Sequence, residues 1–187
     1  MAYNPHLVLF CATYGNKDCL YAVSNAISLH LYQALQILNH ALGIVLSSAT
    51  LDEQLSRLVR FLLQQILLRS SSFVYVDLVK SERMLRKKAA WLTTIFTKHG
   101  ALSVGVQRGH VLGFTEENGP LSYLDWAAGI VDAIDDPDRG YDSRNVCGLK
   151  INGRAAIPWG TPMRVLLGLV RHCLPFIHSH LPSTGPA

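Results

Sequence analysis

The stretch SERMLRKKAAWLTTIFTKHG, residues 81–100, decides how this chain is read. Leu85, Ala89, Leu92 and Phe96 recur at the three- and four-residue intervals that line one face of an α-helix. Lys98 and His99 suit the negative end of a helix dipole, and Gly100 suits the left-handed residue that ends one. The spacing predicts a helix through the whole stretch. Such a helix leaves only short strands elsewhere in the chain.

Upstream, FVYVDLV (73–79) is ambiguous, because aromatic and β-branched residues favour strands. Ser70 to Ser72 break the pattern before it and can cap a new helix. Thr50-Leu-Asp-Glu53 is a capping box, in which the Thr and Glu side chains each satisfy a free backbone N–H. It predicts a helix from Leu51 to about Arg69, with Leu55, Leu58, Val59, Leu62 and Ile66 on its apolar face. From Cys19 to Leu51 there is no Asp, Glu, Lys or Arg. AVSNAISLHLYQALQILNHALGIVL (22–46) suits a long helix packed against others. Asn25, His30, Gln33, Gln36, Asn39 and His40 would be costly in hydrocarbon, which argues against a membrane span. Peripheral membrane contact through residues 20–49 stays open. HLVLFCA (6–12) reads as a buried strand.

Downstream, ALSVGVQ and HVLGF flank Arg108-Gly109 and suggest a hairpin. Gly119-Pro120 opens a helix over LSYLDWAAGIVDAIDD (121–136). Asn152-Gly153 between two apolar runs is a two-residue hairpin signal. Thr161-Pro162 starts a last helix, which Pro175 kinks or ends. The expected fold is therefore α+β and predominantly α-helical, with four to five helices and one or two short β-hairpins. It forms a single domain over 1–187, with a loose subdivision near 100 into a helical part (1–100) and a mixed α/β part (101–187).

Charged residues make up 16% of the chain, against roughly 25% in a typical soluble domain, and apolar residues 49%. Too little charge to cover a solitary globule points to other protein subunits or to self-association. A net charge of +4 is compatible with nucleic acid. Cys11, Cys19, Cys147 and Cys173 include no CxxC pair, so free thiols in an intracellular, reducing compartment are expected.

DAIDDPDRGYDSRN (132–145) holds five aspartates and two arginines. Asp136, Asp138 and Asp142 are the metal candidates, but the calcium-loop spacing fails, since Tyr141 and Cys147 fall where that loop needs Gly and Glu. Pro137 and Gly140 read as a charged β-turn with internal Asp–Arg pairs. No zinc spacing, GxSxG elbow, Walker sequence or GxGxxG occurs, so no catalytic residue, metal or cofactor is assigned. The basic residues Lys80, Arg83 and Lys87 share a helix face, as do Arg164 and Arg171, and either face could meet phosphates.

MAYN (1–4), SNAI (24–27), YDSRN (141–145) and STGPA (183–187) resemble, in order, pieces of rod-shaped plant virus coat proteins. The resemblance implies that Arg144 lies near RNA. It covers little of the chain, its spacing differs, and it is not adopted as a family assignment. The leading expectation is a non-catalytic structural or interaction subunit of a larger assembly. The first alternative is an RNA-binding or coat-like packaging protein. The second is an enzyme with a site assembled around the Asp135–Asp142 loop.

Overall fold

The computed structural model describes residues 6–9, 30, 32–34, 43–49, 61–87, 92–115, 119–153, 156–157 and 159–182. The capping box at 50–53, most of the expected 22–46 helix, Cys11 and Cys19 lie outside the described residues.

The core is a five-stranded sheet in the order β1-β2-β3-β7-β5. Its strands are β1 (His6–Leu9), β2 (Gly43–Ala49), β3 (Thr94–His99), β7 (Asn145–Lys150) and β5 (His110–Gly113). β1, β2, β3 and β7 run parallel, and only β5 is antiparallel to its neighbour β7. A small parallel pair, β4 (Leu102–Ser103) with β6 (Leu121–Ser122), stands beyond the end of β3. Four α-helices are described: α1 (Phe61–Ser70), α2 (Ser72–Lys87), α3 (Tyr123–Ile134) and α4 (Thr161–Cys173).

This corrects the expected predominantly helical α+β fold with hairpins. The helix expected over 81–100 stops at Lys87, and residues 94–99 form the central strand. The misleading periodicity has a physical origin. Leu85, Leu92 and Phe96 do pack together, in one cluster with Tyr32, Ile44 and Leu46. They reach it from a helix, a connection and a strand, rather than from one helix face. Thr94 to Lys98 are all buried. A parallel strand covered on both faces lacks the alternation that announces a half-exposed strand, and here Thr94, Thr97 and Lys98 are buried beside Ile95 and Phe96. GIVL, expected at the end of a long helix, is the start of β2 for the same reason.

Side-chain alternation divides the core between two layers. Ile44, Leu46 and Phe96 face α2. Val45, Ile95 and Val146 face α3, where Trp126, Ile130 and Ala133 cover them. Helices thus lie on both faces of the sheet. Gly148 lets α3 sit this close: a Cβ there would be 2.8 Å from Leu121 Cδ2 and 2.9 Å from Trp126 Cε3.

Neither expected hairpin joins consecutive strands. Across Arg108-Gly109, β4 pairs with β6 and β5 pairs with β7. Asn152 donates its side-chain N–H to the Arg108 carbonyl (3.0 Å), and β7 already has β3 and β5 as neighbours. The glycine turns are present, Gly109 at φ +95° and Gly153 at φ +71°, but they redirect the chain between non-sequential partners. The apolar face expected for the 51–69 helix is also displaced, since Leu62 is exposed on α1. Among the described residues no helix is long and apolar enough to cross a membrane, and Ile44 to Leu46 of the 20–49 segment are buried in the sheet.

Candidate active site at the carboxyl edge of the sheet

Parallel strands put all their carboxyl ends at one edge, so Ala49, His99 and Lys150 mark a common crest. In open α/β sheets this edge is where ligands bind. β3 delivers His99 there, and the chain then turns through Gly100 into β4. The Leu121 N–H donates to the Ala101 carbonyl (3.0 Å), which docks β6 and the start of α3 beside the same edge.

His99 is half-buried with its ring edge-on to Trp126, centroids 5.5 Å apart. Its Nδ1 lies 2.9 Å from the Gly100 carbonyl. A carbonyl only accepts, so Nδ1 carries the hydrogen and Nε2 keeps its lone pair. Nε2 meets no partner among the described residues. Burial pushes the imidazole pKa below its ordinary value, against the opposing pull of the Gly100 carbonyl. The ring is therefore neutral at neutral pH, with an acceptor nitrogen available at the crest.

Asp125 braces the crest from below. It is buried in the first turn of α3. Its carboxylate accepts the Ser122 hydroxyl (2.7 Å) and the backbone N–H groups of Arg108 and Gly109 (3.0 and 2.9 Å). Burial pushes its pKa up, but these hydrogen bonds and the nearby His110 outweigh it and hold the carboxyl below its ordinary value. Ser122 in turn accepts the Asp125 N–H (3.0 Å), so the helix start and the 104–109 loop are locked together. The Ser103 hydroxyl donates to the Ala156 carbonyl, drawing the segment after β7 to the same place.

Behind the sheet, the Lys98 ammonium lies 2.8 Å from Glu82, which Arg86 also contacts at 2.7 Å. Burial raises the Glu82 pKa, but its two cationic partners prevail and leave it below its ordinary value. Lys98, expected as a helix-end charge, is thus a buried partner of α2.

The residues singled out in the sequence gather elsewhere. Asp136 folds back on its own turn, accepting the N–H groups of Asp138 (3.2 Å) and Gly140 (2.6 Å). Asp142 pairs with Arg139 (2.6 Å). The Ser143 N–H donates to the Thr94 carbonyl (2.9 Å), so this loop lies at the amino edge, opposite the crest. Among the described residues no group of three or more His, Cys, Asp or Glu could hold a metal. Lys80, Arg83 and Lys87 are exposed on α2, and Arg144 is exposed where β7 begins. Arg164 is exposed on α4, whereas Arg171 is fully buried and donates to the Pro182 carbonyl. The expected phosphate-facing pair on α4 therefore does not exist. His99, Ser122, Asp125 and Trp126 were not anticipated. The available signal was the β-branched and aromatic run Thr94 to Thr97, closed by Gly100.

No family model matches the chain. Its sequence is 51% identical over 98% of its length to oxidoreductase tpcG of Aspergillus fumigatus, of which it spans 72%. It is 53% identical to oxidoreductase ptaF of Pestalotiopsis fici over 76% of the chain, spanning 55% of that relative. In structure it resembles a short-chain dehydrogenase/reductase from Veillonella parvula solved in complex with NADP, with TM-score 0.52, 12% identity, and coverage of 81% of this chain and 66% of that one. It also resembles a protein of Bacillus halodurans assigned to the NAD-dependent epimerase/dehydratases, at TM-score 0.52 and 12% identity, over 80% and 65% of the two chains. At these identities the structural likeness shows the fold, which is Rossmann-like. These relatives overturn both the non-catalytic subunit and the RNA-packaging readings, and with them the coat-protein resemblance. The chain belongs to the oxidoreductase family of tpcG.

Proposed function

We propose that the chain acts in a nicotinamide-dependent oxidoreductase whose chemistry takes place at the carboxyl edge of the sheet, with His99 as the proton acceptor. One observation carries this reading: a neutral imidazole, whose Nε2 has no partner among the described residues, stands at the carboxyl end of the central strand. Kinship with proteins named oxidoreductases supports it. Trp126 and the Asp125 clamp hold the ring and its surroundings in place, so Nε2 can take the proton of a substrate hydroxyl without reorganisation.

The described residues do not by themselves fit a dinucleotide. A pyrophosphate commonly binds at a helix amino terminus. The amino end of α3 is already filled by the Asp125 carboxylate. Gly105 has nothing within 4 Å of where a Cβ would stand, so it forms no close cradle. The segments following β1 and β2 lie outside the described residues.

The direct test is an initial-rate assay of the purified protein with NADH or NADPH and a panel of carbonyl compounds, run in both directions. Substrate-dependent change in nicotinamide absorbance is the expected result. No turnover with any pair in either direction would overturn the proposal.

A further inference from the structure

The amino edge of the sheet, opposite the crest, carries features that the crest chemistry does not use. An open groove of about 310 Å³ is lined by Arg86, Phe114, Arg144 and Asn145. A smaller cavity of about 130 Å³ adjoins it across Arg86 and is lined by Leu85, Leu92, Thr94, Phe96 and Ser143.

Three observations mark this as more than a surface dimple. First, the groove presents two guanidinium groups. Arg86 is already met by Glu82 at 2.7 Å and reaches Asn145, while the neighbouring Arg139 pairs with Asp142. Arg144 lies over the Phe114 ring, 5.2 Å from its centroid, with no carboxylate partner among the described residues. Second, the Thr94 hydroxyl oxygen is buried without a hydrogen-bond partner among the described residues. Burying a hydroxyl unpaired is costly, and such groups commonly mark a place for something else to bind. Third, Ser143, which lines the inner cavity, sits in the left-handed region at φ +59°. Strain of this kind in a non-glycine residue tends to collect where ligands are held.

We infer that this edge binds a small organic anion. Its carboxylate lies against Arg144 and Arg86, and its short apolar stem enters the inner cavity and carries a hydroxyl to Thr94. The stem is bounded by size: the inner cavity approaches the roughly 150 Å³ that accommodates a benzene molecule. Among the described lining residues only Thr94, Arg86 and Ser143 are polar, which suits a ring or short aliphatic chain with one hydroxyl. A guanidinium already held over an aromatic ring is preorganised to accept a carboxylate side-on. The site lies across the sheet from His99, so this anion is an effector rather than the substrate.

Isothermal titration with meta-hydroxybenzoate and with benzoate tests the inference at low ionic strength. The hydroxylated probe should bind at one site and more tightly than benzoate. Arg144→Gln, at an exposed position, should weaken both by about tenfold or more. Thr94→Val should abolish the preference between the two probes while leaving benzoate binding intact. His99→Gln should leave both affinities unchanged, which separates this site from the crest. Absence of binding, or equal binding by Arg144→Gln, overturns the site. A preference that survives Thr94→Val overturns the placement of the stem.

Discussion

A single imidazole carries the chemistry proposed here, and its environment can be tested through stability alone. His99 has a folded pKa below its ordinary value of 6.5, with burial as the main cause. Above that value both folded and unfolded chains hold a neutral ring, and the full contribution to stability is present. As pH falls below 6.5 the unfolded chain takes up the proton first, so stability declines until the pH passes the lowered folded value. Denaturant titrations across this interval should show wild type losing stability relative to His99→Gln. A constant difference between the two would mean the ring is not buried as described. The residue is visible in the sequence, but a histidine before glycine closes a helix as naturally as it ends a strand, and only the sheet settles which. Asp125 was hidden for a different reason. Within the 121–136 pattern it resembles any acid in the first turn of a helix, and nothing in the sequence shows that the 108–109 backbone returns to it.

At the scale of elements, what was legible was what is local. β1, the end of α1, α3 and α4 lie close to where periodicity, caps and proline placed them. β2 and β3 were lost because strands buried on both faces have no alternation, and because parallel partners are joined through helices that leave no turn signal between them. Tertiary contacts also decide how the elements cross. α1 packs on α4, and a Cβ on Gly168 would overlap the Ser70 carbonyl. Alanine in a helix interior gains about 1 kcal/mol over glycine in propensity. Here the neighbour is backbone and cannot rotate away, so overpacking of about 1–3 kcal/mol or more prevails. Gly168→Ala should therefore lower the unfolding free energy by roughly 1–2 kcal/mol, read from chemical denaturation. An unchanged or raised midpoint would show that the crossing is looser than described.

Across the whole molecule, function follows from which edge of the sheet a residue reaches. Composition pointed instead to a surface needing cover. The structure does leave large apolar side chains bare, with Trp159 99% and Phe176 76% exposed, yet exposure alone says nothing of catalysis, and kinship identifies an oxidoreductase family. The most charged stretch of the sequence, 132–145, drew attention for its aspartates. Its loop holds the amino edge, where Asp136 and Asp142 are occupied in closing their own turn. The comparison that separates the two edges is an initial-rate measurement of nicotinamide turnover by three proteins: wild type, His99→Gln, and a variant carrying Asp136→Asn, Asp138→Asn and Asp142→Asn together. Loss of the proton acceptor should slow His99→Gln by about a hundredfold or more, with the triple variant close to wild type. An inactive triple variant beside a fully active His99→Gln would contradict the placement of the chemistry at the carboxyl edge.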